Sequence, residues 1–195
     1  MPAEAFFAML DALLPRPGAP PWSAWPTPPQ VHLALLVHRV SGLDAGLYLL
    51  LRDAAAFDGM RAALRDDWLW HKVGPSHLPL YLLVPHDLRA AAQFVCCHQE
   101  IAADSCFALG MLGRFGLALR EAWRYPALFR ECGMIGQVLY LEAEAAGLRG
   151  TGIGCYFDDA MHELLGLAGD EWQSLYHFTV GGPIEDSRLS ALPPY

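Results

Sequence analysis

The chain has 195 residues, enough for a single domain with a substantial core, and a formal net charge of −8. This charge argues against nucleic acid as a partner, because proteins normally meet nucleic acid with a basic surface. Apolar residues make up 54% of the sequence and charged residues only 17%. So little charge indicates that part of the surface is covered, either by another subunit or by a complement from which this chain was parted.

The hydrophobic pattern predicts mixed helices and strands, and therefore the α+β class. We expect, in chain order, a helix over 3–14, strands over 31–37 and 47–51, a helix over 54–65, a strand over 80–84, a helix from Asp87 to about Ile101, a strand over 105–112, helices over 126–146 and 158–165, and a strand over 175–180. The continuous apolar run 31–37 is typical of a strand covered on both faces, and the turn residues after it indicate a hairpin. No apolar run approaches the roughly 20 residues of a membrane-spanning helix, so we expect a cytoplasmic protein without a membrane segment.

Residues 1–29 are predicted to be distinct from a main domain over 30–195. The initial helix is followed by prolines up to Pro29, which exclude a helix or a central strand. Trp22 and Trp25 lie among these prolines. The segment is therefore either an ordered arm anchored on a neighbour by its indoles, or the remains of a linker.

Five cysteines lie at scattered positions without a C-x-x-C pair: Cys96, Cys97, Cys106, Cys132 and Cys155. Their odd number and spacing argue against a disulfide framework and against a zinc site, so we expect reduced thiols. The eight histidines show no metal-ligand spacing, and His162-Glu163 lacks the second histidine of a zinc protease. The adjacent carboxylates of Asp158 and Asp159 face different ways on a helix, and we predict that they cap it.

A glycine series, Gly147, Gly150, Gly152 and Gly154, follows the predicted long helix. Glycine allows a backbone to approach a flat or anionic ligand closely. The series is neither a phosphate-binding G-x-x-x-x-G-K-S/T loop nor a full G-x-G-x-x-G fingerprint, and it is equally typical of a tight helix-to-strand turn. Arg188, in the acidic tail, is typical either of a bidentate phosphate ligand or of an exposed surface arginine.

Three motifs then occur in order: Leu43-Asp44-Ala45-Gly46-Leu47-Tyr48, Cys132-Gly133-x-x-Gly136-Gln137-x-Leu139-Tyr140-Leu141-x-Ala143, and Gly152-Ile153-Gly154-Cys155-Tyr156-Phe157-Asp158-Asp159. Together they resemble the hairpin return, the central helix and the following loop of the nitroreductase superfamily. The resemblance is closest to its peptide-azoline dehydrogenase (SagB-type) branch and spans residues 30–192. It implies a mixed, mainly antiparallel sheet flanked by helices, with a long buried central helix.

The resemblance also implies a flavin site. Members of the superfamily bind flavin mononucleotide (FMN), usually at the interface of an intertwined homodimer. The matching loop residues, Gly152, Ile153, Gly154 and Cys155, would place backbone amides near flavin N5, and Arg188 would bind the cofactor phosphate. The implied activity is that of an FMN-dependent oxidoreductase, in which hydride passes through N5 from NAD(P)H or from a carbon–nitrogen bond of a small-molecule or peptide substrate.

The beginning of the chain departs from this pattern. The superfamily's arginine-rich FMN segment has no counterpart here, since no arginine precedes Arg16, and Trp25-Pro26-Thr27-Pro28-Pro29-Gln30 replaces a small-residue stretch. We therefore expect the chain to correspond to the carboxy-terminal part of the fold, with FMN binding weakened. Two alternatives remain: a non-catalytic domain that serves as a scaffold or as half of a longer protein, and a module that binds another flat ligand.

Overall fold

The computed structural model describes residues 1–16, 18–25, 27–184, 188–190 and 192. Within them, seven strands form one sheet in the order β3-β4-β2-β1-β5-β7-β6, and every neighbouring pair is antiparallel. The strands are β1 Val31–Val37, β2 Gly46–Leu50, β3 His71–Lys72, β4 Leu80–Pro85, β5 Phe107–Gly113, β6 Arg149–Ile153 and β7 Gln173–Gly181. The helices are α1 Ala3–Ala12, α2 Phe57–Ala63, α3 Arg89–Val95, α4 Glu100–Asp104, α5 Phe115–Arg120, α6 Arg124–Ala145 and α7 Asp158–Leu165. The predicted α+β class and the mainly antiparallel sheet are confirmed.

The central strands β1 and β5 divide the core into two layers. Both strands are buried along their whole length, because alternate side chains point to opposite faces and helices cover both faces. Leu33 and Leu35 pack in one layer with α1 and α6, whereas Ala34 and Leu36 pack in the other with α2, α3 and α7. The run 31–37 predicted this double burial, and the hairpin between β1 and β2 is also confirmed.

The long central helix α6 begins at Arg124 rather than at the predicted Pro126. It ends at Ala145, one residue before the predicted end, and Gly147 beyond it has a φ of 70°, in the left-handed region that glycine tolerates. The resemblance implied a buried helix, and the structure buries one side of it and leaves the other exposed. The large apolar residues on that face are Tyr125, Phe129, Tyr140 and Leu141. The difference arises because a single sheet covers only one side of the helix.

Two other predictions needed correction. The single helix predicted from Asp87 to Ile101 is two helices, α3 and α4, because Cys97 and His98 adopt left-handed φ values of 54° and 59°. At its start, Asp87 accepts a hydrogen bond from the Arg89 amide at 3.1 Å, but the N-cap position of α3 is Leu88. The helix expected over 54–65 begins with a 3₁₀ turn, Ala54–Ala56, and its α-helical part is the shorter α2.

The glycine series, which we expected to be a loop, contains the edge strand β6. Its residues pair with β7 from Arg149 opposite Gly181 to Ile153 opposite His177. Glycine has a low strand propensity, so the pattern gave no strand signal there. The short strand β3 was missed as well, since two exposed residues carry no alternation. The strand is instead fixed by its pairing with β4.

The proline-rich arm lies against its own chain. Trp22 begins a second 3₁₀ turn, Trp22–Ala24, and its Nε1 donates a hydrogen bond to Ala12 O at 2.8 Å. The arm and α1 therefore join the same core layer as α6, with Phe6 and Leu10 fully buried. Across the described ranges, no helix has the length and apolar character needed to cross a membrane.

A buried ion pair between Arg52 and Glu131 joins these elements. Arg52 follows β2 and lies with its guanidinium 4.4 Å above the ring of Trp22. It donates from Nε to Leu13 O at 2.8 Å and from Nη1 to Val31 O at 3.2 Å, and it contacts the Glu131 carboxylate on α6 directly. The same carboxylate accepts the Gln30 amide at 3.0 Å. One pair of charges thus connects α1, the arm, β1 and α6.

Each charge of this pair depends on the other. Both side chains are 1% exposed. Burial raises the pKa of Glu131 and lowers the pKa of Arg52, because the core disfavours the charged form of either group. The attraction between the two opposes both shifts. Removing one partner would therefore leave an uncompensated charge in the core.

We expect Glu131→Gln to lower the free energy of unfolding by about 3–5 kcal/mol, because Arg52 loses its counter-ion while remaining buried. Urea denaturation followed by circular dichroism measures the change. The matched control is Glu144→Gln, which removes an exposed carboxylate 3.1 Å from Arg149 and should cost less than about 1 kcal/mol. Equal effects of the two substitutions would contradict the central role of the buried pair.

Candidate functional site

The glycines of β6 lie beneath aromatic rings of α6 and β7. A Cβ at Gly150 would come within 2.8 Å of the Phe178 ring, and one at Gly152 within 2.5 Å of the Tyr176 hydroxyl. The Gly152 amide donates to the Tyr140 hydroxyl at 2.8 Å. Close packing is therefore sufficient to require glycine at these two positions.

Gly154, in contrast, has an open environment. Its Cβ would meet only Tyr176, at 4.0 Å, and its φ does not lie in the left-handed region, so neither packing nor backbone conformation requires glycine there. Gly154 and Cys155 are both exposed, directly after the end of the strand. The side chain of Ile153 is buried in the core. The open backbone at Gly154 and Cys155 is therefore the part of the predicted loop that a ligand can approach.

An apolar groove, here called the helix groove, opens between α6 and β7 beside Gly152. Its volume is about 280 Å³. It is lined by Phe129, Cys132, Gly133, Gly136, Gln137, Tyr140, Tyr176 and Phe178. Flat aromatic side chains and two glycines give it a surface suited to a planar, largely apolar group. Its volume lies at the small end for ligand sites, so a complete site would need further walls.

Behind the loop lies a buried polar cluster that the sequence did not reveal. The Tyr156 ring stacks on His177 with centroids 4.4 Å apart and an interplanar angle of 11°. His177 contacts the Cys96 thiol through Nδ1 at 3.4 Å and the Ser174 hydroxyl through Nε2 at 2.9 Å. Tyr156 also donates to Leu175 O at 2.7 Å. Helix α3 and strand β7 bring these side chains together, and no spacing motif in the sequence links the two elements.

The cluster supports the loop rather than supplying a nucleophile. Burial raises the pKa of the Cys96 thiol to about 12 and lowers the pKa of His177 to about 4. Both groups are therefore neutral near pH 7. Because the thiolate is the reactive form of cysteine, Cys96 is inert at that pH. The neutral, hydrogen-bonded cluster instead holds Tyr156, immediately after the exposed loop, in one position.

A second cavity, of about 360 Å³, lies beside the arm. His32 lines this cavity, and its side chain is almost fully buried, with 1% exposed. The Arg52 amide donates to its Nδ1 at 3.1 Å, and burial lowers its pKa to about 4. Arg114 and Glu171 form an ion pair of 2.9 Å at this cavity. Its polar walls distinguish it from the apolar helix groove.

Arg188 is exposed in the tail that follows β7. The residues just before it, Glu185, Asp186 and Ser187, lie outside the described part of the chain. The last residue of β7, Gly181, pairs with the first residue of β6, whereas Gly154 follows the last residue of β6. The tail thus leaves the sheet at the opposite end of β6 from the loop, so strand pairing alone does not bring Arg188 to Gly154.

The Nitroreductase family model matches residues 47–182, more than half of the sequence. The chain belongs to the nitroreductase family. The match includes the central helix, the glycine strand, the exposed loop and β7. No curated protein matches the sequence of this nitroreductase-family chain.

Solved structures share the nitroreductase-like fold. A candidate nitroreductase from Anabaena variabilis aligns with a TM-score of 0.67 at 22% identity, over 94% of this chain and 34% of that chain. A candidate nitroreductase from Ralstonia eutropha aligns with a TM-score of 0.61 at 15% identity, over 95% of this chain and 75% of that chain. A chain of the E. coli microcin synthetase McbBCD complex, with truncated pro-MccB17 bound, aligns with a TM-score of 0.64 at 18% identity, over 95% of this chain and 65% of that chain. This chain therefore spans a minority of the Anabaena protein and just under two thirds of the McbBCD chain.

The buried histidines predict that stability falls in acid. His32 and His177 have an ordinary pKa of 6.5 when unfolded and about 4 when folded, so the unfolded chain binds protons first as the pH drops. Each histidine contributes up to about 3 kcal/mol that is fully present above pH 6.5 and is lost progressively towards pH 4. Urea denaturation at pH 7 and at pH 4.5 should show this loss.

The variant His177→Gln isolates one contribution. The loss of stability between pH 7 and pH 4.5 should be smaller in this variant than in the wild type, whatever its absolute stability. His71→Gln, at an exposed position on β3, is the control and should retain the wild-type dependence. An unchanged dependence in the His177 variant would show that this histidine is not held neutral by the fold.

Proposed function

We propose that this chain is a flavin-dependent oxidoreductase that binds FMN through the loop after β6. The observation that supports this proposal most directly is the exposed, unobstructed backbone at Gly154 and Cys155, close to Tyr176, one of the residues that line the helix groove. Membership of the nitroreductase family supports a redox activity. A buried cluster behind Tyr156 keeps this backbone in place, as a site for a rigid planar cofactor requires.

The residues at this loop fit one edge of a flavin. The tricyclic ring is flat and needs hydrogen-bond donors at its polar edge together with apolar contact on its faces. Gly154 has no side chain to block a ring that approaches the amides of the loop, and the aromatic walls of the helix groove lie next to it. When bound, FMN supplies the hydride chemistry, for which we propose NAD(P)H or a reduced substrate as the donor.

In this proposal the protein binds and orients rather than forming covalent bonds. Gly154 and Cys155 position the flavin edge through their backbone, while Tyr140 holds β6 through the Gly152 amide. Tyr156 fixes the end of the loop. Arg188 contributes a charge-assisted contact to the phosphate, supplied by the tail or by the tail of a second subunit.

We further propose a homodimer that buries the exposed face of α6. Tyr125, Phe129, Tyr140 and Leu141 are large apolar side chains that a lone chain leaves partly in water, at an energetic cost. A second copy would also add walls to the helix groove. The fold shared with a chain of the McbBCD complex supports a place for this protein among peptide-modifying, SagB-type enzymes, and we propose a small molecule or a peptide as its substrate.

The deciding variant for the loop is Gly154→Leu. The folded chain has room for this side chain, so stability should hold, but leucine would stand between the backbone and the flavin. We expect FMN affinity, measured by quenching of flavin fluorescence, to fall at least about 100-fold relative to the wild type, equivalent to about 2.7 kcal/mol. The matched control is Gly59→Leu on α2, another position where a Cβ meets nothing within 4 Å, and it should bind as the wild type does.

The outcomes separate the alternatives. Wild-type protein that is colourless and fails to take up added FMN would overturn the proposal and favour a non-catalytic scaffold. A flat ligand other than flavin in the mass spectrum of the intact protein would favour a binding module. Equal FMN affinity of the Gly154 and Gly59 variants would place the flavin away from the loop after β6.

The phosphate contact is tested by Arg188→Ala. One charge-assisted hydrogen bond contributes about 1.5–3 kcal/mol, so we expect FMN affinity to fall about 10- to 150-fold while riboflavin, which lacks the phosphate, is bound equally by variant and wild type. Arg120→Ala, at an exposed position on α5, serves as the control and should not change either affinity. A parallel loss of riboflavin binding would instead indicate that Arg188 acts on the structure of the tail.

A further inference from the structure

The loop after β6 is tied to the break between α3 and α4. The Phe157 amide donates to Val95 O at 2.8 Å, and Gln99 Nε2 donates to Cys155 O at 3.1 Å. The ring of Phe157 packs against Phe94, with centroids 5.8 Å apart. On the turn, the contacting residues lie on both sides of Cys97, and on the loop they are Cys155 and Phe157, so the contacts hold the two segments side by side.

The α3–α4 turn presents a second cysteine to this loop. Cys97 has the left-handed φ of 54° that breaks the helix, and it lies between Val95 and Gln99, the two residues that bond to the loop at Phe157 and Cys155. The nearby Cys155 thiol, as a hydrogen-bond partner, raises the pKa of Cys97. The adjacent Cys96 is buried and contacts His177 instead. The two neighbouring cysteines therefore lie in different environments, Cys96 in the core and Cys97 on the side of the loop.

We propose that Cys97 and Cys155 are a redox modification site, at which a reversible disulfide closes the loop after β6 onto the α3–α4 turn. The two thiols are brought together by contacts that do not depend on the thiols themselves. Disulfide formation is specific in its geometry, and two cysteines on segments that hydrogen bonds already hold side by side can reach that geometry with little movement. This inference does not rest on FMN binding.

A small-molecule disulfide, such as oxidised glutathione, is the oxidant. The exposed thiol of Cys155, as its thiolate, attacks one glutathione sulfur, breaks the sulfur–sulfur bond and releases one glutathione thiolate. Cys97 then loses its proton to solvent and attacks the Cys155 sulfur, which releases the second glutathione. Two protein thiols are oxidised, one glutathione disulfide is reduced to two thiols, and a dithiol reductant reverses both steps.

Accessibility sets this order and restricts the reaction to one pair. Cys155 is exposed and Cys97 half-buried, whereas Cys96, Cys106 and Cys132 are buried. The Cys155 thiol raises the pKa of Cys97, which makes Cys97 the later of the two to react. Burial raises the pKa of Cys132 above that of an ordinary thiol and leaves it unreactive. The disulfide would anchor the exposed backbone of the loop in the position seen here.

The test uses the full chain treated with oxidised glutathione, then acid-quenched, denatured and labelled with a maleimide–polyethylene glycol that counts free thiols. The fully reduced chain has five free cysteines. We expect the oxidised protein to retain three, to remain monomeric in non-reducing electrophoresis, and to yield a Cys97–Cys155 cross-linked peptide in mass spectra. Dithiothreitol should restore all five thiols.

Three variants make the assignment specific. Cys97→Ser should stop at the mixed disulfide and carry one glutathione on Cys155, while Cys155→Ser, at an exposed position that tolerates serine, should form neither the mixed nor the internal disulfide. Cys106→Ser is the control and should still lose two thiols. Five free thiols in the oxidised wild type, a link that persists in Cys97→Ser, or a link between two chains would each overturn the proposal.

Discussion

The buried pair of Arg52 and Glu131 is the interaction on which the arrangement of the described chain depends. A charge is taken out of water at a cost of several kcal/mol, and each of these two is tolerated because the other lies against it and backbone groups use the remaining hydrogen-bonding capacity. Those backbone groups belong to different elements: Leu13 ends the first helix, Gln30 ends the arm, and Val31 begins the central strand. A pair of this kind adds specificity more than net stability, since only one arrangement of these elements satisfies both charges.

The constraint reaches the candidate site through the central helix. Glu131 lies between Phe129 and Cys132, two residues of α6 that line the helix groove, so the ion pair fixes the register of this part of the helix against the sheet. Further along the same helix, the Tyr140 hydroxyl accepts a hydrogen bond from the Gly152 amide and so holds the edge strand β6 against α6. The exposed loop then emerges between two rigid supports, the helix on one side and the cluster around His177 on the other. A planar cofactor needs such a scaffold because its own bonds supply the reactivity, and the protein must supply only position.

The sequence pointed to a candidate loop but not to the side chains that surround it. The motif order pointed to the loop from Gly152 to Cys155, and the exposed, unobstructed backbone at Gly154 is what a ligand-binding loop needs. Glycines inside the strand had a simpler reason, since Phe178 and Tyr176 leave no room for side chains there. The cluster around His177 and the proximity of Cys97 to Cys155 could not be predicted from the sequence. In both cases the residues come from segments that are distant along the chain and share no spacing pattern.

The sequence by itself determined the local elements whose signals are periodic or sterically forced. The run from Val31 to Val37 indicated a strand covered on both faces, and Gly147 marked the stop of the long helix because glycine adopts a left-handed φ without penalty. The tertiary structure decided what depends on partners. Residues 149–153 became a strand through pairing with β7, the predicted helix broke at Cys97 and His98, and one face of α6 was left without cover. The hydrophobic periodicity of a segment shows which of its own side chains can be buried. Strand pairing, helix breaks and exposed faces depend instead on which other segments pack against it.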